Sequence, residues 1–130
     1  MAVGALEYLY TPSDDVVADL RYLVDVLGGT LAFAIDDGGT RVAMVEFGPP
    51  PAILVTDHLA GDRPIHMFRV ADLRATAREL EGRGWTRGRS VELPPGPAIT
   101  FATPGGLRMA IFEASRPFVV DGFRGRRDFG

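Results

Sequence analysis

Short apolar runs broken by turn clusters fill most of the chain, and two stretches switch to helical spacing. ALEYLYTP (residues 5–12) is aromatic-rich and stopped by proline, which predicts a strand. In SDDVVADLRYLVDVLGG, Val16, Leu20, Leu23 and Leu27 recur at helical spacing. Ser13 reads as the N-cap, Asp14 and Asp15 favour the positive helix end, and Gly28 and Gly29 supply the stop. TLAFAI, RVAMVEF and AILVT follow as strands. They are separated by DDGG, a hairpin signal, and by GPPP, which cannot sit inside a sheet.

The same order then repeats. PIHMFRV predicts a strand, Asp72 an N-cap, and LRATARELEGRGW a short helix with Leu73, Ala77 and Leu80 on one face. RSVELP, AITFAT and LRMAIFEA are three further strands. The pattern predicts an α+β fold of two βαβββ modules, about 5–58 and 64–115, with a tail over 116–130, all in a single domain 1–130. RVAMVEF and LRMAIF are apolar on nearly both faces, so one face can pack on helices while the other lines a cleft.

Composition narrows the function classes. At 130 residues, 46% apolar and 24% charged, the chain suits one folded domain. A net charge of −3 speaks against a nucleic-acid partner, and the basic cluster Arg124, Arg126 and Arg127 lies in the terminal tail. With no cysteine, thiolate catalysis and Cys-based zinc sites are excluded. No apolar run approaches the ~18 residues of a membrane span, and the start carries no signal-peptide pattern, so a cytoplasmic protein without a membrane partner is expected. The proline-rich GPPPA and LPPGPA lack the amide hydrogens of a phosphate cradle.

LRYLVDVLGGTL, HMFRVADL and FATPGGLRMAIFE resemble, in order and spacing, the first helix, fifth strand and final turn and strand of the vicinal oxygen chelate superfamily. That superfamily includes glyoxalase I, the extradiol dioxygenases and the bleomycin-resistance proteins. The resemblance covers about residues 5–115 and implies curled mixed sheets around a U-shaped cleft. In metal-dependent members four ligands line that cleft. Carried over by position, they fall on Tyr8, Leu54, His66 and Ala110. One imidazole falls short of the three or so protein ligands a catalytic metal usually takes, so no metal or other cofactor is expected.

Two alternatives keep an enzyme in play, as a divergent lyase, isomerase or dioxygenase-like protein. A relocated divalent-metal site would use His66, Asp57 and Glu113. A metal-free acid–base pair would use His66 with Glu46, whose carboxyl would rise in pKa by desolvation if it faced the cleft. The leading expectation is a metal-free protein of the bleomycin-resistance type. Strand parity places Tyr8, Tyr10, Leu54, Thr56, His66, Phe68, Ala110 and Phe112 around a hydrophobic or aromatic small molecule. His58 shares the parity of Leu54 but reads as a surface-loop histidine. The resemblance also implies a homodimer. Phe118, Phe123 and Phe129 of the tail are expected to cover either a subunit edge or the cleft.

Overall fold

A computed structural model describes residues 3–130. Eight strands form one curled, unclosed sheet in the order β2-β3-β4-β1-β5-β8-β7-β6. They are β1 (Ala5–Pro12), β2 (Thr30–Asp37), β3 (Thr40–Glu46), β4 (Ala52–Thr56), β5 (Ile65–Val70), β6 (Arg89–Leu93), β7 (Gly96–Ala102) and β8 (Arg108–Glu113). The helices are α1 (Val16–Arg21), which continues as a π-helical turn over Tyr22–Val26, α2 (Leu73–Glu81) and α3 (Pro117–Phe123). β1 pairs with β4, and β5 with β8, in parallel. The two βαβββ halves join where β1 and β5 run antiparallel.

Local chemistry accounts for most element ends. The Asp15 carboxylate accepts from the Ala18 amide at 3.0 Å and caps α1. This corrects the expected Ser13 cap. The Ser13 hydroxyl instead accepts from the Asp15 amide at 3.2 Å, so it supports the capping residue. Asp72 caps α2 through the Ala75 amide at 3.0 Å. After the first helix, Gly28 takes φ +79°, and the amides of Gly28 and Gly29 close onto the carbonyls of Val24 and Leu23. Gly38 and Gly39, at φ +61° and +92°, make the tight β2–β3 turn, with Asp36 Oδ1 accepting from the Gly39 amide.

The sheet carries different layers on its two faces. On the outer face, Val16 and Leu20 of α1 pack on Ala34, Ala43, Val45 and Val55. In the second half, Ala77 of α2 packs on Val70, Ile99 and Ile111. Burying each larger aliphatic side chain contributes about 1.5–3 kcal/mol. The inner face is the cleft side. There Phe33, Met44 and Ala52 pack with Tyr8 in the first half, and Met67, Ala98, Ala110 and Phe112 pack in the second.

The C-terminal segment divides between the inner face and the edge of β2, and of its three phenylalanines only Phe123 reaches the inner face. Val120 and Phe123 of α3 lie on the inner face, Phe123 meeting Phe33 edge-on at 5.5 Å. Residues 125–128 then pair along the free edge of β2, through Gly125 N to Ala32 O, Ala34 N to Arg126 O and Asp128 N to Ala34 O. Phe129 ends on the outer face beside the Val16–Leu20 cluster. Phe118 stays 69% exposed. No helix of the described residues is long and apolar enough to cross a membrane.

Candidate functional site

Register decides which side chains share the inner face. Across the middle of the sheet, Met44 pairs with Leu54, Leu54 with Tyr10, Tyr10 with Ile65 and Ile65 with Arg108. The next row holds Ala52, Tyr8, Met67 and Ala110. Directly opposed residues project from the same face. The inner face therefore holds Tyr8, Tyr10, Leu54, Thr56, Ala110 and Phe112, six of the eight positions expected around a ligand.

His66 and Phe68 are the corrections. His66 pairs with Leu9 and Met109 and shares its face with Phe68 and Val70, which pack toward α2. The imidazole lies on the outer face, with Nδ1 3.2 Å from the Arg108 carbonyl oxygen. The physical reason is period two: His66 stands an even number of residues before Val70, and Val70 must meet the helix. The inner-face residue is Ile65. Aligning the two helix caps, Asp15 with Asp72, gives the same answer, since it sets Tyr8 against Ile65 and Leu9 against His66.

The enzyme alternatives are separated in space. Glu46 does lie on the inner face, but His66 points from the other side, with β4 and β1 between their strands. Arg124 binds Glu46 in a bidentate pair at 3.0 and 3.2 Å. That hydrogen bonding holds the Glu46 carboxyl below its usual range and outweighs the opposing desolvation. The rise conditional on a cleft-facing Glu46 is thus reversed. Asp57 accepts from the Arg41 amide at 3.0 Å and pairs with the Arg41 guanidinium at 3.3 Å. Glu113 accepts from the Leu73 amide at 2.9 Å and anchors the start of α2. Register puts Asp57 at the end of the sheet where β5 begins, with β1 between its strand and His66, and Glu113 at the other end of β5 beside Val70, so the relocated triad does not converge.

A metal does not fit these residues. The four inner-face positions at issue hold Tyr8, Leu54, Ile65 and Ala110, three of them without a side-chain donor. Among the described residues, no three His, Cys, Asp or Glu side chains gather as a donor set. Burial raises the Tyr8 phenol above its usual range, with Glu7 adding to the rise and Arg124 and Arg69 opposing it. Tyr8 is therefore a neutral phenol rather than a phenolate ligand.

The inner face is partly filled. Met44, Ala110 and Phe112 are 2%, 1% and 1% exposed, and Tyr8 meets Phe112 at 5.7 Å. Tyr8, Tyr10, Leu54 and Ile65 stay half-buried and form a strip between the filled halves. An open groove of about 810 Å³ lies elsewhere, between the start of α2 and β6–β7, lined by Asp72, Arg74, Arg87, Glu92 and Glu113 among others.

At one end of the strip is a polar cluster that the sequence reading passed over. Tyr10 Oη lies 2.9 Å from His58 Nε2, and Thr56 Oγ1 lies 2.7 Å from His58 Nδ1. The tyrosine and histidine rings meet edge-on at 5.8 Å. Thr56 is fully buried. Desolvation raises the Tyr10 phenol, the Thr56 hydroxyl partly offsets this through a hydrogen bond, and the charge on Asp57 adds to it. The parity His58 shares with Leu54 was the available signal.

No family model matches the chain, and no curated protein matches it. Solved structures do. Methylmalonyl-CoA epimerase from Mycobacterium tuberculosis superposes with a TM-score of 0.73 at 18% identity, over 91% of this chain and 95% of that one. A hypothetical protein from Bacillus halodurans gives 0.69 at 17%, over 84% and 93%. The Streptomyces coelicolor epimerase in complex with 2-nitronate-propionyl-CoA gives 0.70 at 13%, over 88% and 97%. The fold is shared with these epimerases. At these identities the likeness is one of fold.

Proposed function

We propose that this protein binds a small hydrophobic or aromatic molecule on the inner face of its sheet without a metal. The carrying observation is the half-buried strip Leu54–Tyr10–Ile65, with Tyr8 beside it, lying between halves packed to near-complete burial. Neighbouring strands are about 4.8 Å apart, so three of them floor a site about 10 Å wide, the scale of a bicyclic ring. Tyr8 and Tyr10 offer ring faces and neutral phenols, a common makeup for such sites. The fold supports a ligand here in a general way, since an epimerase sharing it is known in complex with methylmalonyl-CoA. The single-domain reading and the expected homodimer belong to this proposal. Tyr22, Val26, Leu27 and Phe47, all exposed, give a second copy an apolar motive.

The test is fluorescence titration with N-phenyl-1-naphthylamine, a neutral bicyclic probe, together with thermal shifts on adding zinc, nickel, manganese or iron(II). The expected result is saturable binding that Leu54→Lys abolishes, with no metal-dependent shift in the parent protein or in His66→Ala. Binding untouched by Leu54→Lys, or a metal shift lost in His66→Ala, overturns the reading. A second reading, a metal-free isomerase, is favoured by one observation: the Tyr10–His58–Thr56 cluster puts a proton-transfer group beside the strip.

A further inference from the structure

The cluster at the end of the strip has more order than a surface histidine needs. Both imidazole nitrogens are engaged, the ring sits edge-on to Tyr10, and the His58 amide donates to Thr56 Oγ1 at 3.4 Å. Thr56 is buried and fixed, while Tyr10 stands at the centre of the proposed floor. In a neutral imidazole one nitrogen donates and the other accepts. With the proton on Nδ1, Nδ1–H donates to Thr56 Oγ1 and the Tyr10 hydroxyl donates to Nε2. A lone pair of the Tyr10 oxygen, beyond the one that meets the Thr56 hydroxyl, is then left to accept from a molecule on the floor.

We propose that Tyr10 and His58 form a proton relay that takes the proton of a weakly acidic ligand, a phenol or enol, bound over Leu54 and Ile65. The ligand O–H bond breaks as its proton passes to the Tyr10 oxygen. The former Tyr10 proton passes to His58 Nε2. The products are a ligand oxyanion, a neutral Tyr10 donating to it, and an imidazolium whose Nδ1–H is held by Thr56 Oγ1. No oxidant or further reactant is needed. Tyr10 touches the ligand, and His58 acts through it as a positioning residue.

The charged groups around the pair are already engaged or lie in the following loop. Asp57 is bound to Arg41, and Arg108 on β8 donates to the carbonyls of Ala60 and Arg63. Arg63 donates to the Gly106 carbonyl, and Asp62 lies in the exposed loop.

This inference rests on the binding reading above, and the two fail separately. The probe is 4-nitrophenol, whose ionised form is coloured, studied at a pH where half of the free probe is ionised. The ratio of ionised to neutral probe, measured at saturating protein, is expected to rise roughly three- to tenfold on binding. His58→Gln keeps a polar side chain but accepts no proton, so the rise disappears, as it does in Tyr10→Phe. An unchanged or lowered ratio in the parent protein, a rise that survives His58→Gln, or failure of 4-nitrophenol to bind a protein that takes the naphthylamine probe overturns the relay. Failure of the naphthylamine probe itself overturns the binding reading instead.

Discussion

Replacing Phe112 by alanine tests whether the second half of the inner face is packed core or the wall of an open cleft. The side chain is 1% exposed and lies among Met67, Ala98, Ala110, Val91 and Leu93, with Tyr8 at 5.7 Å. Truncating a fully buried phenylalanine costs about 3–5 kcal/mol, which combines lost transfer energy with the void left behind. Total stability of a domain is about 5–15 kcal/mol, so this is a large share. Urea unfolding can follow Trp85, the single tryptophan, which packs on Phe101 at 5.3 Å in the same half, alongside far-UV circular dichroism. With a slope of about 1–3 kcal/mol per molar, the midpoint falls by roughly 1–5 M at unchanged slope. A loss below about 1 kcal/mol refutes the reasoning. It would mean the ring borders empty space, and the strip at Leu54–Tyr10–Ile65 would no longer be the bounded floor of the inner face.

Arg124→Gln removes the bidentate partner of Glu46 and is expected to cost about 0.5–1 kcal/mol, because both groups are partly solvated. The Glu46 pKa is lowered in the folded protein from its ordinary 4.5, so this stabilisation is complete above that value and fades as pH falls through the lower folded value. A difference between parent and variant that grows on acidification refutes the assignment. Glu113→Ala removes the acceptor for the Leu73 amide and is expected to cost about 1–2 kcal/mol, while Glu113→Gln recovers most of it. Equal loss in both variants would show that the carboxylate charge, and not its acceptor geometry, holds the start of α2.

Much of the architecture follows from local rules. Two helical stretches, each with one apolar run before it and three after it, and the DDGG turn predict βαβββ twice, and each rests on contacts within a few residues. Asp72 and the Gly28–Gly29 stop were legible for the same reason. The Ser13 cap was not, because Ser13, Asp14 and Asp15 are all capping residues, and only the position of the first helical turn selects Asp15. The placement of His66 was legible in principle, by counting back from Val70. It was obscured because β5 is apolar on both faces and gives no alternation to read.

What only the tertiary structure decided is long-range. The Glu46–Arg124 pair, the pairing of residues 125–128 with β2 and the Tyr10–His58 contact join segments far apart in sequence. Each depends on strand register and on the path of the chain past the last strand. A two-residue period names two faces but not which one receives the helices. By itself the sequence determined the elements, their order and the scarcity of metal donors. Packing α1 and α2 on one face, and α3 on the other, decided that the imidazole beside the inner strip belongs to His58.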